Sequence, residues 1–123
     1  MISCLRVTYT GSLASAVKLY ASSAITNGTQ FNLKVERGTQ TTGAFPACGD
    51  FAATSTAYDG ALGSFPSTYA AGLDGRSAAA AWATSDIVAY RFTVTQNDDP
   101  TPNAHTSVQS SGAHDFTWEA RNT

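Results

Sequence analysis

His105 and His114 are the only histidines of the chain, and a catalytic zinc needs three protein ligands around an open fourth position. Neither lies in a His-Glu-x-x-His frame, and Glu119 is the only glutamate near either in sequence. His105 falls in a Pro/Asn/Thr-rich stretch and His114 stands beside Asp115. Both read as solvated surface side chains, so no metal site is expected. Asn97-Asp98-Asp99 places three oxygen-bearing side chains in a row between two apolar-patterned runs, a composition that calcium accepts. The alternate-residue spacing of a calcium loop is missing, and the same residue types favour turns through hydrogen bonds to the backbone, so a turn is expected. Asp59-Gly60 has no second acid at a definable distance and reads as a turn or bulge, not as half of a carboxylate pair. There is no Gly-x-Ser-x-Gly elbow, and Gly72 and Gly75, which flank Asp74 and precede Arg76, make a turn and not a phosphate cradle. The spacing therefore names no catalytic residue, metal ligand or cofactor site. Function has to be argued from architecture.

The two cysteines, Cys4 and Cys48, are too few for a four-ligand zinc site and form no Cys-x-x-Cys pair. An even count in a Ser/Thr-rich β-patterned chain suggests one disulfide, tying the first strand to a loop near the middle of the chain. Two reduced, buried thiols are the alternative. Asn27-Gly28-Thr29 matches a glycosylation sequon and serves equally as a turn.

The elements that must position these residues are strands. Val88, Tyr90, Phe92 and Val94 alternate with polar or small residues over Ile87 to Gln96, and Phe116 and Trp118 alternate over His114 to Arg121, the two-residue period of a strand with one buried face. Cys4 to Thr10 carries Leu5, Val7 and Tyr9 on one face. Ala16 to Ala21 and Gln30 to Arg37 repeat the pattern, with Asn27-Gly28 as a turn signal ahead of the latter. Gly38 to Thr56 reads as a long loop pinned by Phe45, Cys48 and Phe51, followed by a short strand at Ala57 to Leu62. Phe65 to Leu73 reads as one helical turn, opened by Pro66 and closed by Gly72. Ala78 to Trp82 reads as a turn that packs Trp82 inward. Tyr9, Phe31, Trp82, Tyr90, Phe92, Phe116 and Trp118 are the expected aromatic core, whereas Tyr20 and Tyr58 are expected nearer the surface, where a carbohydrate or a partner could reach them. The sum is an all-β antiparallel sandwich of Greek-key or jelly-roll type, one domain over residues 1 to 123.

Composition narrows the class. At 123 residues the chain is long enough for one core. Charged residues make up 13%, about half the usual share, as in polar extracellular β-proteins. Nine acids and seven bases are scattered singly for a net charge of −2, so no basic patch is present to hold a nucleic acid. The longest apolar run, Ala78 to Ala83, falls far short of the ~18 residues of a membrane span. Met1 to Arg6 has neither the basic nor the apolar region of a signal peptide although the composition looks exported, so a chain truncated at its N-terminus is expected.

Five phrases occurring in this order carry a resemblance: Cys4-Leu5-Arg6-Val7-Thr8-Tyr9-Thr10-Gly11, Tyr58-Asp59-Gly60-Ala61-Leu62, Phe65-Pro66 with Tyr69-Ala70-Ala71-Gly72-Leu73, Tyr90-Arg91-Phe92-Thr93-Val94-Thr95, and Phe116-Thr117-Trp118-Glu119-Ala120-Arg121. Together they resemble the TasA/camelysin family of secreted bacterial proteins, over nearly the whole chain from Cys4 to Arg121. The resemblance implies a jelly-roll domain, export, and polymerisation into biofilm-matrix or cell-surface fibres in which a donor strand from one subunit completes the sheet of the next. A family member would already have passed its signal peptide and its first strand or strands where this sequence begins. The resemblance thus implies a sandwich lacking one or more N-terminal strands, which pairs through an exposed sheet edge with copies of itself or with homologous subunits and needs no cofactor. The metal-dependent peptidase activity attached to camelysin finds no zinc motif here. An extracellular binding module, using Gly38 to Thr56 and Asn97 to Gly112 as contact loops, is the competing expectation.

Overall fold

The computed structural model describes residues 1–22, 30–96 and 115–122. They form seven strands: β1 (Ile2–Thr8), β2 (Ser15–Ala21), β3 (Phe31–Thr39), β4 (Ala52–Ala61), β5 (Leu73–Asp74), β6 (Ile87–Gln96) and β7 (Phe116–Asn122). All pairings are antiparallel. One sheet has the order β1-β6-β3-β4 and the other β5-β2-β7.

Alternation explains which face each sheet buries. Leu33 and Val35 of β3, Tyr90 and Phe92 of β6, and Leu19 and Ala21 of β2 point between the sheets and join Leu62 and Phe65 in one core. Each lies two positions from the next along its strand, so the polar residues between them go to the outer faces. Aromatic rings join the layers. Phe92 contacts Phe116 and Trp118 at centroid distances of 4.9 and 6.0 Å, Tyr90 contacts Trp118 at 5.3 Å, and Phe65 bridges Tyr58 and Phe116 at 5.0 and 5.3 Å. Strand β6 therefore lies over β7.

The structure moves several expected boundaries. The loop after β3 is shorter than expected, residues 40–51, because β4 begins at Ala52. Asp59-Gly60 is neither turn nor bulge: Asp59 pairs with Lys34 and Gly60 with Leu33 inside β4, and the two register shifts fall at Val35/Glu36 and Arg37/Gly38. The helical turn expected over Phe65 to Leu73 does not form. A 3-10 turn at Leu62–Ser64 precedes it, and Leu73–Asp74 instead pairs with Lys18 and Leu19 as β5. Trp82 is fully buried as expected, its backbone exchanging two hydrogen bonds with Ser15 at 3.1 and 2.8 Å. Tyr58 packs against the core, not at the surface.

Tyr9, expected in the core, instead closes one end of the sandwich. Its hydroxyl pairs with the Leu13 carbonyl at 2.5 Å and with Ser15 Oγ at 2.6 Å. A Cβ on Gly11 would fall 2.2 Å from that hydroxyl, so a side chain there would displace the Tyr9 ring from these bonds.

Candidate functional site

Expected site residues fall into three groups. Cys4 and Cys48 are joined by a disulfide. His105, His114, Asn97-Asp98-Asp99 and Asn27-Gly28-Thr29 lie outside the described residues. Asp59, exposed on β4, accepts a hydrogen bond from Asn32 Nδ2 at 3.2 Å. Among the described residues no three His, Cys, Asp or Glu side chains cluster as metal ligands, and no helix is long and apolar enough to cross a membrane.

What the fold does assemble is a set of sheet borders in different states of protection. An edge strand presents unpaired backbone N–H and C=O groups, and proteins blunt such edges with loops, bulges or short strands. On the β5 side of the second sheet, Pro66, β5, Gly75 and Trp82 cover β2 along its length: Ala21 N–H donates to the Pro66 carbonyl at 2.9 Å, and Gly75 N–H to the Val17 carbonyl at 2.8 Å. Strand β4 borders the first sheet with two register shifts, which bend and twist it.

Strand β1 is guarded by the loop 40–51. Cys4 N–H donates to the Pro46 carbonyl at 3.0 Å, and the disulfide fixes the loop beside it. The Arg6 guanidinium binds the carbonyls of Gln40, Thr41 and Gly43 at 3.5, 3.0 and 3.0 Å. Within the loop, Asp50 accepts from the Thr41 hydroxyl at 2.6 Å and from the Thr41 and Thr42 backbone N–H groups at 2.9 and 3.0 Å. The Thr41 hydroxyl, followed by these amides, pulls the Asp50 carboxyl down to about 2. Arg91 lies over the Phe51 ring at 4.8 Å and ties the loop's end to the sheet.

Among the described residues, no covering loop or register shift of these kinds lies at β7. It pairs with β2 residue for residue over seven positions without a shift, and among the described residues no strand lies beyond it. Because β6 lies over β7, the strand beyond β6, which is β1, has no strand facing it in the second sheet among the described residues. Leu5 and Val7 of β1 point inward yet are only half-buried, as is Trp118 of β7. An apolar strip and a regular strand border thus meet on one side of the sandwich.

The outer face of β7 is polar. Glu119 accepts from Tyr20 Oη at 2.7 Å and from Arg121 Nε at 2.6 Å, and the Arg121 guanidinium stacks on Tyr69 at 3.8 Å. Arg121, and secondarily Tyr20, hold the Glu119 carboxyl below its ordinary range, while the hydrogen bond to Glu119 raises the Tyr20 hydroxyl. The border therefore has one apolar and one charged side, the amphipathic signature of an extended β-strand's environment.

Sequence reading missed the Glu36–Arg91 pair, the Arg37 contact with the Asp74 carbonyl, and the border of β7. The first two had a signal, a charge on each of two strands flanked by inward-pointing apolar residues. The third had none, because which strand borders a sheet is a property of strand order. No family model, no curated protein and no solved structure matches this chain.

Proposed function

We propose that this chain is the structural subunit of an extracellular fibre, a jelly-roll domain that accepts a strand from another subunit along β7. The observation that carries the reading is the regular β7 border, beyond which no strand lies among the described residues, beside half-covered Leu5, Val7 and Trp118. A strand added there would satisfy the backbone groups and cover the apolar strip in one step.

Strand order supports the same reading. Numbering β1 to β7 as the second to eighth strands of an eight-stranded jelly roll gives layers of second-seventh-fourth-fifth and eighth-third-sixth. The remaining position, that of the first strand, falls next to β7. Such a contact is head-to-tail and repeats without closing, which yields a filament. A disulfide fits an oxidising, exported setting.

Sedimentation and electron microscopy of the purified protein over a wide range of concentration and pH test the proposal. Filaments, or a strand-exchanged ladder of oligomers, are expected; compact monomers throughout would sink it.

A further inference from the structure

The loop 40–51 is built to keep its own shape, but few contacts keep it in place. Asp50 with Thr41 and Thr42, and Gln40 Nε2 with the Ala47 carbonyl at 2.7 Å, are internal to the loop. Its ties to the sheet are the disulfide, the single Cys4-to-Pro46 hydrogen bond, the Arg6 bonds to three carbonyls and the stacking of Arg91 on Phe51. The Arg6 bonds to Thr41 and Gly43 are exposed and compete with water, so each contributes little net holding power. The disulfide is the only covalent cross-link among these ties.

We infer that this loop is a thiol-released cover over the β1 edge. With the disulfide formed, the loop bonds the outward Cys4 amide and is held by the Arg6 side chain beside it. A dithiol attacks the half-buried Cys48 sulfur, since Cys4 is fully buried. The S–S bond breaks, Cys4 and Cys48 each end as a thiol, and the dithiol closes to its own cyclic disulfide. The loop then lifts as a preformed unit and exposes β1 as a second border open to strand pairing. This inference concerns the opposite sheet from β7 and stands whether or not β7 accepts a strand.

Amide hydrogen exchange by mass spectrometry on the full chain, with and without dithiothreitol, tests it, alkylation of both thiols confirming reduction. Exchange at Cys4 and in residues 40–51 should rise by about tenfold or more beyond the rise that β3 and β6 share through the loss of the bridge's global stabilisation. Unchanged exchange at Cys4 after full reduction would overturn the inference. So would a rise of the same size in every strand, because the bridge would then hold the whole fold and not a cover. Cys48→Ser, measured without reductant, must reproduce the reduced pattern, and a folded variant with a protected Cys4 amide would likewise overturn it.

Discussion

Glu36 and Arg91 face each other directly across β3 and β6, with the guanidinium Nη2 2.8 Å and Nε 2.9 Å from the same carboxylate oxygen. Cys4 pairs with Arg91 on its other side, so disulfide, ion pair and loop share one row of the sheet's outer face. The Glu36 side chain is only 10% exposed, and Lys34 reaches it at 4.0 Å. Replacing Arg91 with Met leaves the carboxylate buried with a distant partner and should cost about 1–3 kcal/mol, below the ~3–5 kcal/mol of a fully buried pair because Arg91 is itself partly solvated. Glu36→Gln combined with Arg91→Met should cost less than Arg91→Met alone. Urea unfolding of the three variants measures the difference.

Tyr90 is fully buried, and its hydroxyl donates to the Gly75 carbonyl at 2.5 Å. Burial pushes that hydroxyl up to about 12, so it stays a neutral donor across the working range. Tyr90→Phe should destabilise the protein by about 1–3 kcal/mol by stranding the carbonyl. Thermal unfolding reads this, and a shift within error would show that Gly75 finds another donor.

The folded-state carboxyl of Asp50 titrates near 2, below its ordinary 3.8. A depressed value means that its contribution to the loop is present above 3.8 and is lost as pH falls through about 2. Exchange of the Thr41 and Thr42 amides should accelerate in that window beyond the intrinsic trend. In Asp50→Asn the same amides should be fast and show no such step.

Cys4 and Cys48 close a loop with a sequence separation of 44. In the chain-entropy treatment the bridge contributes about 4 kcal/mol, so oxidised and reduced protein should differ by about that amount in unfolding free energy. A difference near zero would mean that the unfolded chain is already constrained there.

Ala120 is exposed, and its side of β7 is the one that carries Trp118 and faces the apolar strip. Ala120→Asp should abolish assembly while leaving the circular dichroism of the monomer unchanged, because a charge would have to be buried by the incoming strand. Arg121→Glu, on the outer face, should leave assembly largely intact. Equal assembly of Ala120→Asp and the parent chain would count against β7 as the acceptor.

The strands with alternating large apolar residues were legible. Ile87–Gln96 has its boundaries written in Val88, Tyr90, Phe92 and Val94. The first half of β4, Ala52 to Thr56, was not, because Ala, Thr and Ser on both faces carry no contrast between buried and exposed. Two-residue β5 exists only because Lys18 and Leu19 lie beside it, so tertiary pairing overrode the proline and glycine punctuation of 65–73. The cysteine pairing was legible from their number, but its place beside Arg91 and Pro46 depended on sheet register.

Arg37 reaches from β3 across the sandwich, its Nε and Nη2 bonding the Asp74 carbonyl at 3.0 and 2.6 Å, while Ser55 Oγ meets Ser77 Oγ at 3.2 Å nearby. These bonds rivet the two layers along the β4/β5 flank, and on the β1/β7 flank Tyr9 Oη meets Ser15 Oγ at 2.6 Å and Ser15 Oγ meets Asn122 Oδ1 at 3.1 Å, which ties the layers at one end. Any relative motion of the layers must therefore be smallest beside these bonds and widest at the opposite end of the β1/β7 flank, like a folder clasped at all but one corner. Spin labels across that end of the β1/β7 flank should report a broader distance distribution than a pair across β4/β5.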